Sequence, residues 1–153
     1  MPTRLAAAAL AAALPLLFSA CAAEERTEPK GTVPPVDVAA PPADAIKTTS
    51  GMFYRVLVGG SGGRHPGPNS QVTVHYTGWT TDGTIVEGAP RGGGDPVTLD
   101  LSQHVRGWRE GLAMMVPGEK RRFWMPGALA YAGHPGKPQG MMVYDIELID
   151  FTN

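Results

Sequence analysis

The amino-acid sequence predicts an α+β domain in which an antiparallel sheet packs against one short helix. Five segments after Gly51 alternate apolar and polar residues with the period of two that is expected of half-buried strands. Only one stretch of that region, residues 105–115, has helical periodicity. Because an antiparallel sheet with one apolar face needs a cover, we expect this helix to share a single core with the sheet.

The N-terminal segment has the features of an export signal. Arg4 precedes an Ala- and Leu-rich run, and small residues follow it. Phe18-Ser19-Ala20-Cys21 resembles the lipobox of bacterial lipoproteins, which implies a signal peptide over residues 1–20 and lipid on Cys21. The alternative is an ordinary secretory signal with an incidental cysteine. Cys21 is the only cysteine, so no internal disulfide is expected.

The lipobox resemblance also implies a location. The protein would be lipid-anchored through Cys21 in the bacterial cell envelope, with the membrane as a partner. Ala22 stands where an inner-membrane retention signal would have Asp, which favours the outer membrane, facing the periplasm.

Residues 21–49 are predicted to be the lipidated cysteine and a disordered linker. The segment is rich in Ala, Pro and Glu and has hardly any large apolar residue, so it cannot bury enough surface to offset ordering. It would be a tether that holds a folded domain clear of the membrane, or a remnant without a role. Residues 50–153 then form one domain.

The strands are placed by their alternation, in chain order. Residues 52–58 alternate weakly and are predicted to form an edge strand, whereas the later strands each have one clearly apolar face. The residues predicted to face the core are Val72, Val74, Tyr76, Val97, Leu99, Leu101, Phe123, Met125, Met142, Tyr144, Ile146 and Leu148. On the helix the apolar stripe consists of Trp108, Gly111, Leu112 and Met115. Trp108 is either plain core or the floor of a cavity.

Composition excludes several classes of function. The net charge of −1 and the lack of a basic cluster argue against a nucleic-acid partner. The run Lys120-Arg121-Arg122 is interpreted as a solvated edge. The four histidines have no ligand spacing, so neither a metal nor another cofactor is expected. Glycine-rich residues 59–69 and 88–96 are interpreted as loops, and no serine or carboxylate pattern supports hydrolysis.

Several motifs resemble one known family. They occur in the order and near the spacing of the FKBP-type peptidyl-prolyl cis/trans isomerases, across residues 50–151. The longer ones are Val74-His75-Tyr76-Thr77-Gly78, Arg106-Gly107-Trp108-Arg109-Glu110-Gly111-Leu112 and Val143-Tyr144-Asp145-Ile146-Glu147-Leu148. The shorter ones are Asp82-Gly83, Gly118-Glu119 and Leu129-Ala130-Tyr131. The resemblance implies a five- to six-stranded half-barrel sheet wrapped around one short helix, and an enzyme that assists the folding of envelope or secreted proteins.

The resemblance also implies a site. Its apolar proline pocket would be lined by Tyr76, Val86, Val97, Val105, Trp108, Tyr131 and Tyr144. Trp108 would form the floor, the Val105 N–H would hold a ligand carbonyl, and the Tyr131 hydroxyl would hold a ligand amide oxygen. Glu87 stands at the family's Asp position. Proline-containing polypeptides and macrolide inhibitors are the implied partners.

The chain departs from the family pattern at the rim of this pocket. Val86 and Val97 stand where larger aromatics are usual, and Ala132 replaces Gly. The longer Glu87 side chain would be able to pair with Arg91. The loop over residues 132–140 is short, so we expect a widened pocket with reduced activity and weaker macrolide affinity. Two alternatives are a non-catalytic chaperone module for proline-containing segments and a structural envelope lipoprotein, the latter without a cavity over Trp108.

Overall fold

The computed structural model describes residues 33–89 and 95–153. The predicted signal peptide, Cys21 and Arg91 lie outside the described residues. The strands are β1 (Ile46–Lys47), β2 (Phe53–Val58), β3 (Gln71–Thr80), β4 (Ile85–Ala89), β5 (Val97–Asp100), β6 (Lys120–Met125) and β7 (Met142–Thr152). The helix α1 is Arg106–Ala113, and two 3₁₀ turns are Leu101–Gln103 and Gly127–Leu129.

All strand pairs in the sheet are antiparallel, and the order is β1-β2-β6-β7-β3-β4. Strand β5 also pairs with β3, opposite its first half, whereas β4 pairs with its second half. The predicted α+β fold with a sheet on one short helix is confirmed. The sheet has seven strands, whereas five to six were predicted. The two strands that were not predicted are β1 and β4. β1 has only two residues, and β4 runs into the glycine-rich stretch that was interpreted as a loop.

The helix packs on the concave face of the sheet as its periodicity predicts. Trp108, Gly111 and Leu112 are buried, and so is Met115 just after the helix. A Cβ on Gly111 would lie 3.0 Å from the Phe123 ring, so glycine lets α1 approach β6 closely. The predicted inward residues of β3, β6 and β7 belong to the same core. Within the described ranges no helix is long and apolar enough to cross a bilayer.

The opposite face of the sheet is also partly buried, which the sequence did not predict. Trp79, Trp124 and Val143 are at most 2% exposed and lie side by side in register on β3, β6 and β7. Trp124 and Val143 point away from the helix because their chain neighbours point toward it, and Trp79 lies opposite Val143 on the neighbouring strand. The sheet therefore has a second, smaller apolar cluster on its convex face.

A segment that we call the strap, residues 33–45, runs over this convex face. The Trp124 indole N–H donates to the Asp37 carbonyl at 2.9 Å. The Asp37 carboxylate lies 2.6 Å from Arg122, which also makes two hydrogen bonds to Asp145. Pro34 packs beside Gly83 in the β3–β4 turn.

The prediction of a disordered linker is therefore wrong for residues 33–49, and the domain begins before residue 50. Composition misled here because a proline-rich segment needs little apolar surface of its own when the sheet supplies it. β1, which continues the strap, adds backbone pairing to β2 at Phe53 and Tyr54.

The interpretation of Lys120-Arg121-Arg122 as a solvated edge is also wrong. Strand β6 lies between β2 and β7, so its residues are flanked on both sides. The Arg121 side chain is only 13% exposed, bonds Glu119 and the Met114 carbonyl, and lies over the Tyr54 ring. The edges of the sheet are the two-residue β1 on one side, with β2 just inside it, and β4 and β5 on the other.

Candidate active site

Trp108 is the centre of an aromatic cluster where α1 meets the sheet. The rings of Tyr76 on β3 and Tyr144 on β7 meet it at near right angles, with centroids 4.9 Å and 5.5 Å away. Edge-to-face pairs of this kind are favourable beyond their buried area. Only 2% of Trp108 is exposed, so its indole is largely enclosed by protein.

The imidazole of His104 stacks on the Trp108 indole, with centroids 5.1 Å apart and planes 23° apart. Its backbone N–H donates to the Leu101 carbonyl and closes the 3₁₀ turn before α1. Burial lowers the pKa of His104, although the Glu87 and Asp100 carboxylates act in the opposite direction. Sequence reasoning missed this contact because it examined histidines only for metal spacing. Periodicity offered no signal for it, because His104 precedes the helix and its backbone is extended.

Glu87 is clamped by two tyrosine hydroxyls. Tyr131 donates to Oε1 of Glu87 at 2.8 Å, and Tyr144 donates to the same oxygen at 2.5 Å. Glu87 on β4 and Tyr144 on β7 both lie opposite Gly78 of β3. Because Gly78 has no side chain, the two groups meet over it, and a Cβ there would lie 2.5 Å from the Tyr144 ring.

The tyrosines around Glu87 are held neutral. Burial, and then the hydrogen bond to Glu87, raise the pKa of Tyr131 to about 12. The same causes raise the pKa of Tyr144 further, and burial with the nearby Glu87 charge raises the pKa of Tyr76. All three therefore remain protonated hydroxyls at physiological pH. The predicted pairing of Glu87 with Arg91 falls outside the described residues, and the observed donors to Glu87 are tyrosines.

The three valines predicted for the pocket are half-buried and pack against the same core cluster as Trp108. Val105 is the N-cap of α1, and its carbonyl accepts from the N–H groups of Trp108 and Arg109. Within the described part of the chain, the Val105 N–H itself has no hydrogen-bond acceptor. An amide donor is thus available beside the aromatic cluster.

The loop after Tyr131 forms one wall of the site and is held by Gln139. The Gln139 side chain accepts from the Gly133 N–H and donates to the carbonyls of His134 and Lys137. The His134 ring contacts the Tyr131 ring, and Lys137 Nζ lies 5.1 Å from its centroid. Ala132 is exposed. The loop thereby places a basic group beside Tyr131.

The structure thus gathers the predicted pocket residues and Glu87 around one core, and adds His104. Fold and site define an α+β domain with an enclosed aromatic site, neutral hydroxyls and, at the start of a short helix, an amide donor that is unpaired among residues 33–89 and 95–153. The chain belongs to the FKBP-type peptidyl-prolyl cis-trans isomerases, because the model of that family matches residues 62–149.

Two curated relatives illustrate the match. A probable FKBP-type peptidyl-prolyl cis-trans isomerase FkpA of Neisseria meningitidis is 38% identical over 111 residues, or 69% of this chain and 40% of the relative. The macrophage infectivity potentiator of Trypanosoma cruzi is 36% identical over 114 residues, or 72% and 58% of the two chains. The chain thus spans about two-fifths to three-fifths of the length of these relatives.

The fold agrees with a solved structure of the family. FkpA from Escherichia coli superposes with a TM-score of 0.65 at 32% identity. The match covers 72% of this chain and 53% of that one.

Proposed function

We propose that the protein is a peptidyl-prolyl cis-trans isomerase that acts on proline-containing polypeptides. The observation that supports this most is the enclosed aromatic cluster around Trp108 with a free Val105 N–H beside it. Such a site suits a pyrrolidine ring whose flanking carbonyl needs one donor. Membership of the family supports the same reaction.

The reaction requires no nucleophile. Rotation about an X-Pro bond is opposed by a barrier of about 18 to 20 kcal/mol because amide resonance must be broken. The twisted amide has less charge separation than the planar one, so an apolar site favours the transition state over the ground state. This role suits tyrosines, which are uncharged at neutral pH and whose pKa values burial raises further here.

Each group has a part in this mechanism. The proline ring lies against Trp108, with Val86 and Val97 as side walls, and the Val105 N–H donates to a substrate carbonyl. Tyr131 donates its hydroxyl hydrogen to Glu87. To hold a substrate amide oxygen with that hydrogen, Tyr131 must exchange this bond for the one to the substrate. Glu87 then retains Tyr144 as a donor, so its carboxylate is not left unpaired.

The energetics assign most of the effect to shape and desolvation. A rate gain of about 10⁶ requires roughly 8 kcal/mol of transition-state stabilisation. A neutral hydrogen bond contributes only about 1 kcal/mol. The hydrogen bonds of Val105 and Tyr131 therefore position the substrate, and the apolar walls supply the larger share.

The valines at the rim predict a weakened site. Replacing an aromatic side chain by Val86 removes on the order of 1 to 2 kcal/mol of apolar contact with a bound proline. We therefore expect turnover and macrolide affinity below those of a site with aromatic residues there. In Val86→Phe, kcat/KM should rise by about tenfold, which is the rate equivalent of 1.4 kcal/mol.

An exchange-NMR assay on a Xaa-Pro peptide tests the activity itself. The protein should accelerate isomerisation, Trp108→Leu should reduce kcat/KM strongly, and Tyr131→Phe should reduce it less. Ile85→Ala is a matched control, because this neighbour of Val86 is 45% exposed and should leave the rate unchanged. No acceleration by the wild-type protein at micromolar concentration would refute the proposal.

A non-catalytic binding module is the second candidate. It is favoured by the commitment of the Tyr131 hydroxyl to Glu87, because that hydrogen is not available to a substrate amide while the bond is made. This candidate predicts suppression of client aggregation without any turnover. If Trp108→Leu abolishes turnover while aggregation is still suppressed, both functions are present.

We further propose that the domain works in the bacterial envelope, anchored through lipid on Cys21 after removal of residues 1–20, at the outer membrane and facing the periplasm. The lipobox-like residues carry this part of the proposal, and a relative from Legionella longbeachae is named outer membrane protein MIP. Mass spectrometry of the wild-type protein from the membrane fraction should find acyl chains on an N-terminal Cys21, and Cys21→Ser should carry none. A wild-type protein without acyl chains would refute the anchor without affecting the proposed enzymatic activity.

A further inference from the structure

We propose that His104 is a positioning residue of this site, which supports Trp108 while it is neutral and lowers turnover when it is protonated. The inference rests on the proposed isomerase function and adds to it a dependence on mildly acidic pH. His104 does not act on the substrate chemistry. It acts through the indole on which it stacks.

The geometry connects His104 to both parts of the site. Its imidazole stacks on Trp108 with centroids 5.1 Å apart, so a proline ring that contacts the indole lies close to His104 as well. Its backbone immediately precedes Val105, whose N–H is the available donor. The bond from the His104 N–H to the Leu101 carbonyl holds this backbone at the end of the 3₁₀ turn.

The surroundings of His104 disfavour its charged form. The helix contributes the apolar Trp108, whose indole is also contacted by Tyr76 of β3 and Tyr144 of β7, both neutral hydroxyls. The charged groups that act on His104 are Glu87 of β4 and Asp100 at the end of β5.

Both carboxylates already have donors. The Asp100 carboxylate accepts from the backbone N–H and the hydroxyl of Ser102, and Glu87 accepts from the two tyrosines. Burial outweighs their attraction, and the pKa of His104 lies below its usual range.

Protonation of His104 would therefore make the site less favourable for the transition state. It places a positive charge against the surface that must favour the less polar twisted amide. This charge weakens transition-state binding more than substrate binding, so kcat should fall and KM should change little.

The pH profile of the full-length protein tests this inference. By exchange NMR, kcat/KM of the wild type should be lost progressively as the pH is lowered from about 7.5 to about 5, in step with the protonation of His104. His104→Phe keeps an aromatic ring on Trp108 but cannot titrate, so its profile should be flat. The His104 Cε1 proton, identified by its absence from the spectrum of this variant, should titrate below about pH 6.5.

Another histidine is the control. The ring of His65 bonds the Met115 carbonyl and is not part of the site, so His65→Phe should retain the wild-type profile. A wild-type profile for His104→Phe would overturn the inference while leaving the isomerase proposal intact. No turnover at any pH would overturn both.

Discussion

At the residue scale, the most consequential position is a glycine. Gly78 lies in the middle of β3, between Glu87 on one neighbouring strand and Tyr144 on the other. Its missing side chain leaves room for the Tyr144 ring to reach the Glu87 carboxylate. The hydrogen bond from Tyr144 to Glu87 therefore depends on Gly78, although Gly78 itself contributes no atom to that bond.

Gly78→Ala should destabilise the protein and displace Tyr144. The added Cβ would lie 2.5 Å from Cε1 of a fully buried ring, which cannot move without repacking the core. Overpacking of this kind costs about 1 to 3 kcal/mol. Urea unfolding gives the free energy, and the tyrosine hydroxyl signals in NMR report the bond to Glu87.

Gly59→Ala is the matched control, since a Cβ there meets nothing within 4 Å. Its free energy of unfolding should stay within about 0.5 kcal/mol of wild type. Equal stability of the two variants would contradict the close packing of Gly78 against Tyr144.

At the scale of elements, the strap covers the second face of the sheet. The sequence predicts a sheet covered on one side, but the structure has three layers: the helix, the sheet and the strap. In the third layer residues 33–45 cover Trp124 on the convex face. The strap is held mainly by polar contacts, and two of its valines, Val33 and Val36, are exposed. Asp37 supplies both its carbonyl, to Trp124, and its carboxylate, to Arg122.

Asp37→Ala should lower the free energy of unfolding by about 1 to 3 kcal/mol, the range for a lost hydrogen bond to a charged group. Asp37 and Arg122 are 13% and 14% exposed, so water replaces the lost bond only in part. Arg122 keeps its two bonds to Asp145, which limits the loss. Urea unfolding measures the change, and Trp124 emission should shift to the red.

The control lies in the same strap. Asp44 is 61% exposed and pairs with the exposed Arg55 at 2.9 Å, and such pairs contribute about 0 to 1 kcal/mol. If Asp44→Ala is as destabilising as Asp37→Ala, the buried ion pair is not what holds the strap.

At the scale of the whole molecule, the neutral tyrosines couple stability to alkaline pH. A tyrosine whose pKa is raised by folding keeps its proton longer in the native state than in the unfolded one, where the pKa is about 10. The native state then binds more protons, so stability falls as pH rises. Tyr131, with a pKa of about 12, contributes stability that is complete below about pH 10 and lost as pH rises toward 12.

The free energy of unfolding should therefore decline above about pH 10, and less steeply in Tyr131→Phe than in wild type. Urea unfolding over an alkaline pH series measures the slope. Ultraviolet difference absorbance shows when tyrosinate forms in the native state. Equal slopes for the two proteins would mean that Tyr131 titrates alike in both states.

The sequence by itself determined the fold class, the inward faces of the central strands, and the helix stripe with Trp108. These features follow from periodicity, which is a local property of backbone geometry. The family motifs likewise led to the predicted pocket residues, and the structure packs all of them in or against one core. Nothing in these inferences required knowing which strands are neighbours.

Only the tertiary structure decided the contacts that depend on neighbours far apart in the chain. Whether residues 33–45 were a tether or a strap depended on a convex apolar surface that exists only once β6 and β7 are paired. The meeting of Glu87 with Tyr144 required the register of three strands across Gly78. The stack of His104 on Trp108 depended on how the turn enters the helix. Such contacts are long-range in sequence or are determined by packing, so alternation and composition do not predict them.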